Sequence, residues 1–254
     1  MKKVSTLIKL FWNSMFGDKQ TKFDSKHTLI SILAKQFGFK VYNKDLIWSH
    51  DNEFKDVWKR FPGRKSADVH ERRFNLYYLS KSISNLNGET AECGVFHGAS
   101  SFLILKSNID FKKEHYIFDS FEGLSCPDKI DIVEDEKINK WSKNDLAIDE
   151  RIVRENLDQF DNVTYLKGWI PEKFNFVASK RFSLVHIDVD LYQPTLDSIS
   201  FFYPRMVTGG MLICDDYGFV TCPGAYKALN KFLEDKVENI IHLTTGQAVI
   251  IKQP

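Results

Sequence analysis

The apolar positions of this chain change period near residue 88. Before it they recur at helical spacing; after it they gather into short runs. In MKKVSTLIKLFWNSMFG, Leu7, Ile8, Phe11, Trp12 and Met15 form one helical stripe. Residues 26 to 36 and roughly 68 to 86 also carry helical patterns, separated by polar and charged stretches such as SHDNEFKDVWKRFPGRKS. This region is expected to be a helical cap. Beyond it, ETAECGVF, HYIFDSF, VTYLKGW, FSLVHIDVD and GGMLICDDYG read as strands, with SSFLILKSNI, IDERIVRENLDQF, QPTLDSISFFYPRM and GAYKALNKFLEDK as helices between or after them. NIIHLTTGQAVIIK closes the chain as two strand-like pieces around a Thr-Gly turn. The alternation predicts an α/β fold with a doubly wound, mainly parallel seven-stranded sheet, a C-terminal antiparallel hairpin and an N-terminal helical cap. The polar segment 123 to 148 is an unusually long linker, for which a lid is the functional reading and disorder the plain one.

Composition narrows the ligand more than the fold. Lys plus Arg number 35 and Asp plus Glu 34, a formal charge of +1, so the chain as a whole has no field to gather nucleic acid or an acidic membrane. A small-molecule partner is expected, and no nucleic acid. Cys93, Cys126, Cys214 and Cys222 lack paired spacing, which points to reduced thiols and a cytoplasmic location. Lys9 and Asn13 interrupt the N-terminal apolar run before it reaches membrane-spanning length, so no transmembrane segment is expected. Its stripe suits a membrane surface, a partner or its own domain, with packing or a homo-oligomer preferred.

Ligands of open α/β sheets gather at the carboxyl ends of the strands, and here those ends are acidic. The first strand carries Glu92 and runs into CGVFHGASS, where Gly94 and Gly98 permit a tight turn before a helix opens at Ser100 or Ser101. The spacing is G-x-x-x-G, not the dinucleotide G-x-G-x-x-G. Asp119 ends the second strand, where a carboxylate can accept both hydroxyls of a ribose or cap a turn. On the fourth strand His186, Asp188 and Asp190 alternate onto one face. The fifth ends in Asp215 and Asp216, so Asp188 or Asp190 can converge with that pair across neighbouring strands about 4.8 Å apart. The crowding calls for a hard divalent cation, or for arginine or lysine as counter-charge. Asp215 and Asp216 can serve one ion only if the chain turns between them. Trp169 can face an adenine or simply pack, and Arg72 and Arg73 read as surface residues.

GETAECGVFHGASS, YIFDSFEGL, VRENLDQFDNVTYLKGWIPEKF, HIDVDLYQPTLDSISFFYPRMVTGGMLICDDYG and GQAVIIK together resemble the macrocin O-methyltransferase (TylF-type) family, over roughly residues 70 to 252. The resemblance implies a Rossmann-like class I S-adenosylmethionine (SAM)-dependent methyltransferase that carries a methyl group to oxygen with Mg2+. With the change of period near residue 88, the chain is expected to divide into a helical cap or oligomerisation region over 1–85 and a SAM-binding methyltransferase domain over 86–254. The resemblance assigns Glu92 and Gly94, with Gly98 and Ser100, to the loop around the cofactor's methionine end, Asp119 to its ribose, and Trp169 to the adenine side. Asp188, Asp215 and Asp216 become metal ligands, with Asp188 also the general base and His186 an alternative base. His97 stands where relatives often have arginine or lysine, and Ala99 where a second glycine is common. The implied acceptor is a hydroxyl of a sugar, a glycosylated natural product or a cell-surface glycan. The alternatives are an NAD(P)- or nucleotide-sugar-dependent oxidoreductase on a Rossmann sheet, and a non-catalytic SAM-binding scaffold.

Overall fold

The computed structural model describes residues 2–41, 46–63, 70–135 and 140–254. Parts of the expected helix at 68–86 and of the segment 123–148 therefore lie outside the described residues. The chain forms two compact units, Met1–Asn52 and Glu53–Pro254. In the first, α1 (Lys2–Phe16) and α2 (Lys19–Gln36) pack against each other across a two-residue turn. α2 starts earlier than its apolar pattern because Asp18 caps it, accepting from Thr21 N at 2.8 Å and from Thr21 Oγ1 at 2.9 Å.

The second unit opens with α3 (Asn52–Trp58), whose first residue marks the boundary, followed by α4 (His70–Ser82). α3 falls in a stretch expected to be irregular. Three aromatic residues in a charged run hide its period, yet Phe54, Trp58 and Phe61 are all buried. They pack with Tyr77 and Phe102, so α3 and α4 are part of the sheet-bearing unit although they precede residue 85.

Next come β1 (Glu89–Cys93), α5 (Ala99–Ser107), β2 (His115–Asp119), α6 (Glu150–Asn156), β3 (Val163–Lys167), β4 (Phe182–Ile187), α7 (Tyr192–Phe202), β5 (Met206–Cys214), α8 (Pro223–Leu233), β6 (Ile241–His242) and β7 (Ala248–Ile251). The seven strands lie in the order β3-β2-β1-β4-β5-β7-β6, parallel except that β7 runs antiparallel to β5 and β6. This is the expected doubly wound sheet with its closing hairpin. The order reverses direction between β1 and β4, which opens a crevice at their carboxyl ends. Among the described residues no helix is long and apolar enough to cross a membrane.

The strands read as continuous apolar runs because both faces are covered. On one face Val95, Ala99, Phe102, Ile117 and Val153 meet α3 and α4; on the other, Phe118, Phe174, Phe182, Ile199 and Phe202 meet the residues of α8. Phe202 is the hub of the second core. Its fully buried ring stands 5.6 Å from Phe118, 5.1 Å from Phe174, 5.0 Å from Phe182 and 5.0 Å from Phe201, in edge-to-face contacts. Phe202→Ala removes that hub and is expected to cost about 3–5 kcal/mol. Urea unfolding followed by circular dichroism should show a lowered midpoint with an unchanged slope.

Candidate active site

Gly94, Asp119, Gly168, Asp188, Asp190 and Asp216, all at strand ends, open into one cavity of about 480 Å³. β1 ends in a turn that needs Gly94: its φ is +81°, and a Cβ there would lie 1.9 Å from the carbonyl oxygen of Asp188. The turn from β1 thus touches the tip of β4. Asp119 is fixed by two amides, its Oδ2 accepting from Val95 N and its Oδ1 from Phe121 N, each at 2.7 Å. Burial raises its pKa while those amides oppose the rise, and each oxygen keeps a lone pair for a further donor. Ser100 and Trp169 also reach the cavity wall. Gly98 does not: it is the left-handed cap of α5 and backs onto Val153 and Leu157. Glu92 lies behind the wall, fully buried.

Behind that wall runs a chain of polar contacts. His186 is fully buried on β4 between two carboxylates, its Nδ1 2.9 Å from Glu92 Oε1 and its Nε2 3.3 Å from Asp215 Oδ1. The second distance suits an ion pair, but Nε2 is off the axis of a hydrogen bond. Burial disfavours the charged ring, yet Asp215 and Glu92 outweigh it and push the pKa up to about 10. A ring so enclosed has no route to a substrate. Glu92 also accepts from Ser101 Oγ, and Ser101 Oγ lies 2.9 Å from His115 Nε2.

The chain turns immediately after Cys214, which lets Asp215 and Asp216 both face the cavity. Asp215 is held on both oxygens: Gln247 Nε2 donates to Oδ1 at 2.7 Å, and Arg72 Nη2 donates to Oδ2 and, at 3.0 Å, to the carbonyl. Despite burial, His186 and Arg72 hold its carboxyl well below the usual range. Asp216 Oδ2 accepts from Asp190 N at 2.9 Å, and burial together with Asp190 and Asp188 drives its pKa well up. Asp188 is partly exposed at the wall and its carboxylate accepts no hydrogen bond from any described residue. Desolvation and Asp215 push it up to about 6, and burial and Asp188 push Asp190 up to about 7. Five carboxylates, Glu92, Asp188, Asp190, Asp215 and Asp216, thus face three cations, Arg72, Arg73 and protonated His186. Asp190, Asp216 and Cys222 also bring ligand atoms within 4.8 Å of one another. Cys222 Sγ donates to Asp190 Oδ1 and accepts from Trp141 Nε1, both at 3.4 Å.

One expectation needs correction. Arg72 and Arg73 are not surface residues. α4 packs through Leu76, Tyr77 and Ser80, which carries its first turn to the strand tips. There Arg72 lies 4.7 Å over the ring of Phe219, and Arg73 Nη1 donates to Ser100 Oγ. Gln247 was missed altogether. Its signal is a fully buried amide directly before an apolar strand, inside the GQAVIIK motif. Tyr217 packs against Tyr226 and His242 outside the cavity.

The segment 123–148 contributes Leu124, Trp141 and Leu146 to the wall; its residues 136–139 lie outside the described ones. Its neck is closed by Leu124 N donating to Asp145 O and Asn144 N to Leu124 O, each at 2.9 Å. A short 3-10 turn, Lys129–Asp131, anchors its body, where Asp131 Oδ1 accepts from Tyr192 N at 2.7 Å. Gly224 leaves the necessary room, since a Cβ there would lie 1.8 Å from Asp131 Oδ1.

The His186 shift has a measurable consequence. Its native pKa of about 10 lies above the ordinary 6.5, so the stabilisation it supplies is full below pH 6.5 and is lost as pH rises through about 10. Ring nitrogen shifts of histidine-labelled protein should show His186 protonated at pH 8; a neutral ring there contradicts the buried ion pair.

Comparison with known proteins adds the last observation. The chain matches the macrocin-O-methyltransferase (TylF) family over residues 2–249. It is 28% identical over 165 residues to the 8-demethyl-8-(2,3-dimethoxy-alpha-L-rhamnosyl)-tetracenomycin-C 4'-O-methyltransferase of Streptomyces olivaceus, covering 61% of this chain and 63% of that one. It is also 28% identical over 157 residues to the demethyldecarbamoylnovobiocin O-methyltransferase of Streptomyces niveus, covering 59% of each. The chain thus spans about three fifths of these relatives. Among solved structures, the O-methyltransferase NovP gives a TM-score of 0.61 at 23% identity, covering 73% of this chain and 81% of that one. CalS11, a calicheamicin methyltransferase, gives 0.60 at 15% identity, covering 79% and 90%. Their likeness shows the fold: α/β, Rossmann-like, of the class I methyltransferase type.

Proposed function

The chain belongs to the macrocin-O-methyltransferase (TylF) family, and from that premise we propose that it transfers a methyl group from SAM to a sugar hydroxyl of a natural product or glycan, with Mg2+. The observation that carries the proposal is the cavity itself, in which a ribose-type carboxylate, Asp119, and an under-compensated carboxylate crowd share one wall. The Streptomyces olivaceus relative supports the acceptor class, since the substrate in its name carries a dimethoxy-rhamnosyl group.

The donor brings a methyl group on a sulfonium, and a divalent cation brings a hydroxyl nearer its alkoxide by lowering its pKa. The residues fit both. Asp119 has one lone pair per oxygen left for two ribose hydroxyls, and Gly94 lets the backbone approach the ligand closely. Trp169 offers a flat apolar wall beside Gly168. With His97 where a basic residue is common, Arg73 beside Ser100 at the start of α5 supplies the nearby positive charge for a carboxylate.

Asp188, Asp215 and Asp216 would hold the cation, and the excess of carboxylates over cationic side chains is the charge argument for one. Asp188 has free lone pairs, whereas Arg72 occupies Asp215 Oδ2 and competes for that oxygen. Asp188 is also the assigned base. It reaches the cavity and its carboxylate accepts no hydrogen bond from any described residue, so it has an oxygen free to take the hydroxyl proton. His186 is not assigned that role, because both ring nitrogens face buried carboxylates. Arg72, Gln247 and His186 instead orient Asp215 from three sides.

Calorimetric titration with SAM and S-adenosylhomocysteine should show binding of both, and Asp119→Ala should weaken it by about 10- to 100-fold. Binding of NAD in their place would sink the proposal. Asp188→Asn should keep S-adenosylhomocysteine affinity while lowering kcat with a sugar acceptor by about 10²- to 10⁴-fold. An unchanged kcat would remove Asp188 from the chemistry.

A further inference from the structure

The unit Met1–Asn52 is inside out for a water-exposed hairpin. Among its described residues only Ser14 and Ser25 are buried, and both are small and polar. Ser14 satisfies its hydroxyl within α1, donating to Phe11 O at 2.6 Å. The large apolar side chains point outward. Ile8, Phe11, Trp12, Met15 and Phe16 follow one helical stripe along α1, and all are exposed, Ile8 by 65% and Trp12 by 63%. On α2, Phe23, Ile30 and Leu33 share an exposed face with Lys19 and Lys26. A continuous apolar stripe of this size on a water-facing surface marks a surface that something covers.

Charge decides what covers it. Residues 1–52 hold nine lysines, four aspartates, no arginine and no glutamate, a formal +5, while residues 53–254 carry a formal −4. The near-neutral whole chain conceals a strongly basic end. α1 contains no acidic residue. A second copy docking stripe to stripe would set two such basic units against each other. An anionic bilayer offers headgroup phosphates to the lysines and the acyl boundary to the aromatic and aliphatic stripe. Neither helix is long and apolar enough to cross the bilayer, so the hairpin would lie in its surface plane.

We infer that the hairpin of α1 and α2 docks this protein on anionic phospholipid membranes, the α1 stripe inserted at the headgroup boundary and the lysines against the phosphates. The inference is independent of the methyl-transfer proposal, because vesicle binding is read without turnover.

The test sediments the full-length protein with vesicles of phosphatidylcholine alone and of equal parts phosphatidylcholine and phosphatidylglycerol. The expected result is partition onto the anionic vesicles only, weakened by salt. Phe11→Glu with Trp12→Glu should lower it by at least about tenfold. Lys9→Gln with Lys19→Gln and Lys26→Gln should do the same through charge. Both variants alter exposed positions, and an unchanged melting temperature of the full chain would verify that they fold. Absence of binding to either vesicle, or binding that the first variant leaves unchanged, overturns the inference. So does a dimer in sedimentation velocity that Phe11→Glu with Trp12→Glu splits, with no vesicle binding, since a second copy is then the occupant.

Discussion

The cavity end of the sheet depends on one buried ion pair system, Glu92–His186–Asp215, strung across three neighbouring parallel strands. Burying three ionisable groups in a sheet costs several kcal/mol per ion unless each is paired, and removing one partner strands the others. Here each is paired. Glu92 has Ser101 and His186, and Asp215 has His186, Gln247 and Arg72. The network ties β1, β4 and β5 at the level where the crevice opens and draws in α4 through Arg72. Its second histidine shows how local the control is. His115 sits between the hydroxyls of Thr90 and Ser101, and burial, opposed by Glu92, lowers its pKa to about 4. Two buried rings on one sheet thus differ in proton affinity, since burial prevails at His115 beside hydroxyls and is outweighed at His186 between carboxylates.

Because Asp215 spends its charge on that network, the free carboxylate chemistry passes to Asp188, with Asp190 and Asp216 beside it. Their proton affinities are raised first by burial and then by one another's charge, which a shortage of positive groups leaves unopposed. The shortage is local to the strand tips. It coexists with an opposite imbalance at the other end of the chain, where lysines outnumber aspartates within the first 52 residues. A whole-chain charge of +1 reports neither.

Much of this was legible in the sequence because parallel strands buried on both faces leave continuous apolar runs, and those runs end where ligands gather. Asp119, Asp188, Asp215 and Asp216 were visible for that reason. The turn after Cys214 that lets the aspartate pair share a cavity was not, since an extended register points them apart. Arg72 and Arg73 were misread because their role is set by how far α4 travels over α5, a tertiary fact with no local signal. α3 was hidden for a related reason: Phe54, Trp58 and Phe61 declare their burial only through partners such as Tyr77 and Phe102, which come later in the chain.

The closed neck of the segment 123–148 carries a consequence for divergence. Leu124 and Asn144–Asp145 are cross-linked by backbone hydrogen bonds, Asp131 is anchored on α7, and Trp141 is held by Cys222. Chain length between Asp131 and Trp141 is therefore uncoupled from the position of the cavity wall. Closing a longer loop across fixed ends costs little entropy, since the cost grows only with the logarithm of length. Insertions between those anchors leave the contacts of Leu124, Asp131 and Trp141, and the charge network behind them, in place. One lineage could thereby explore new molecular partners at its periphery without renegotiating the interior.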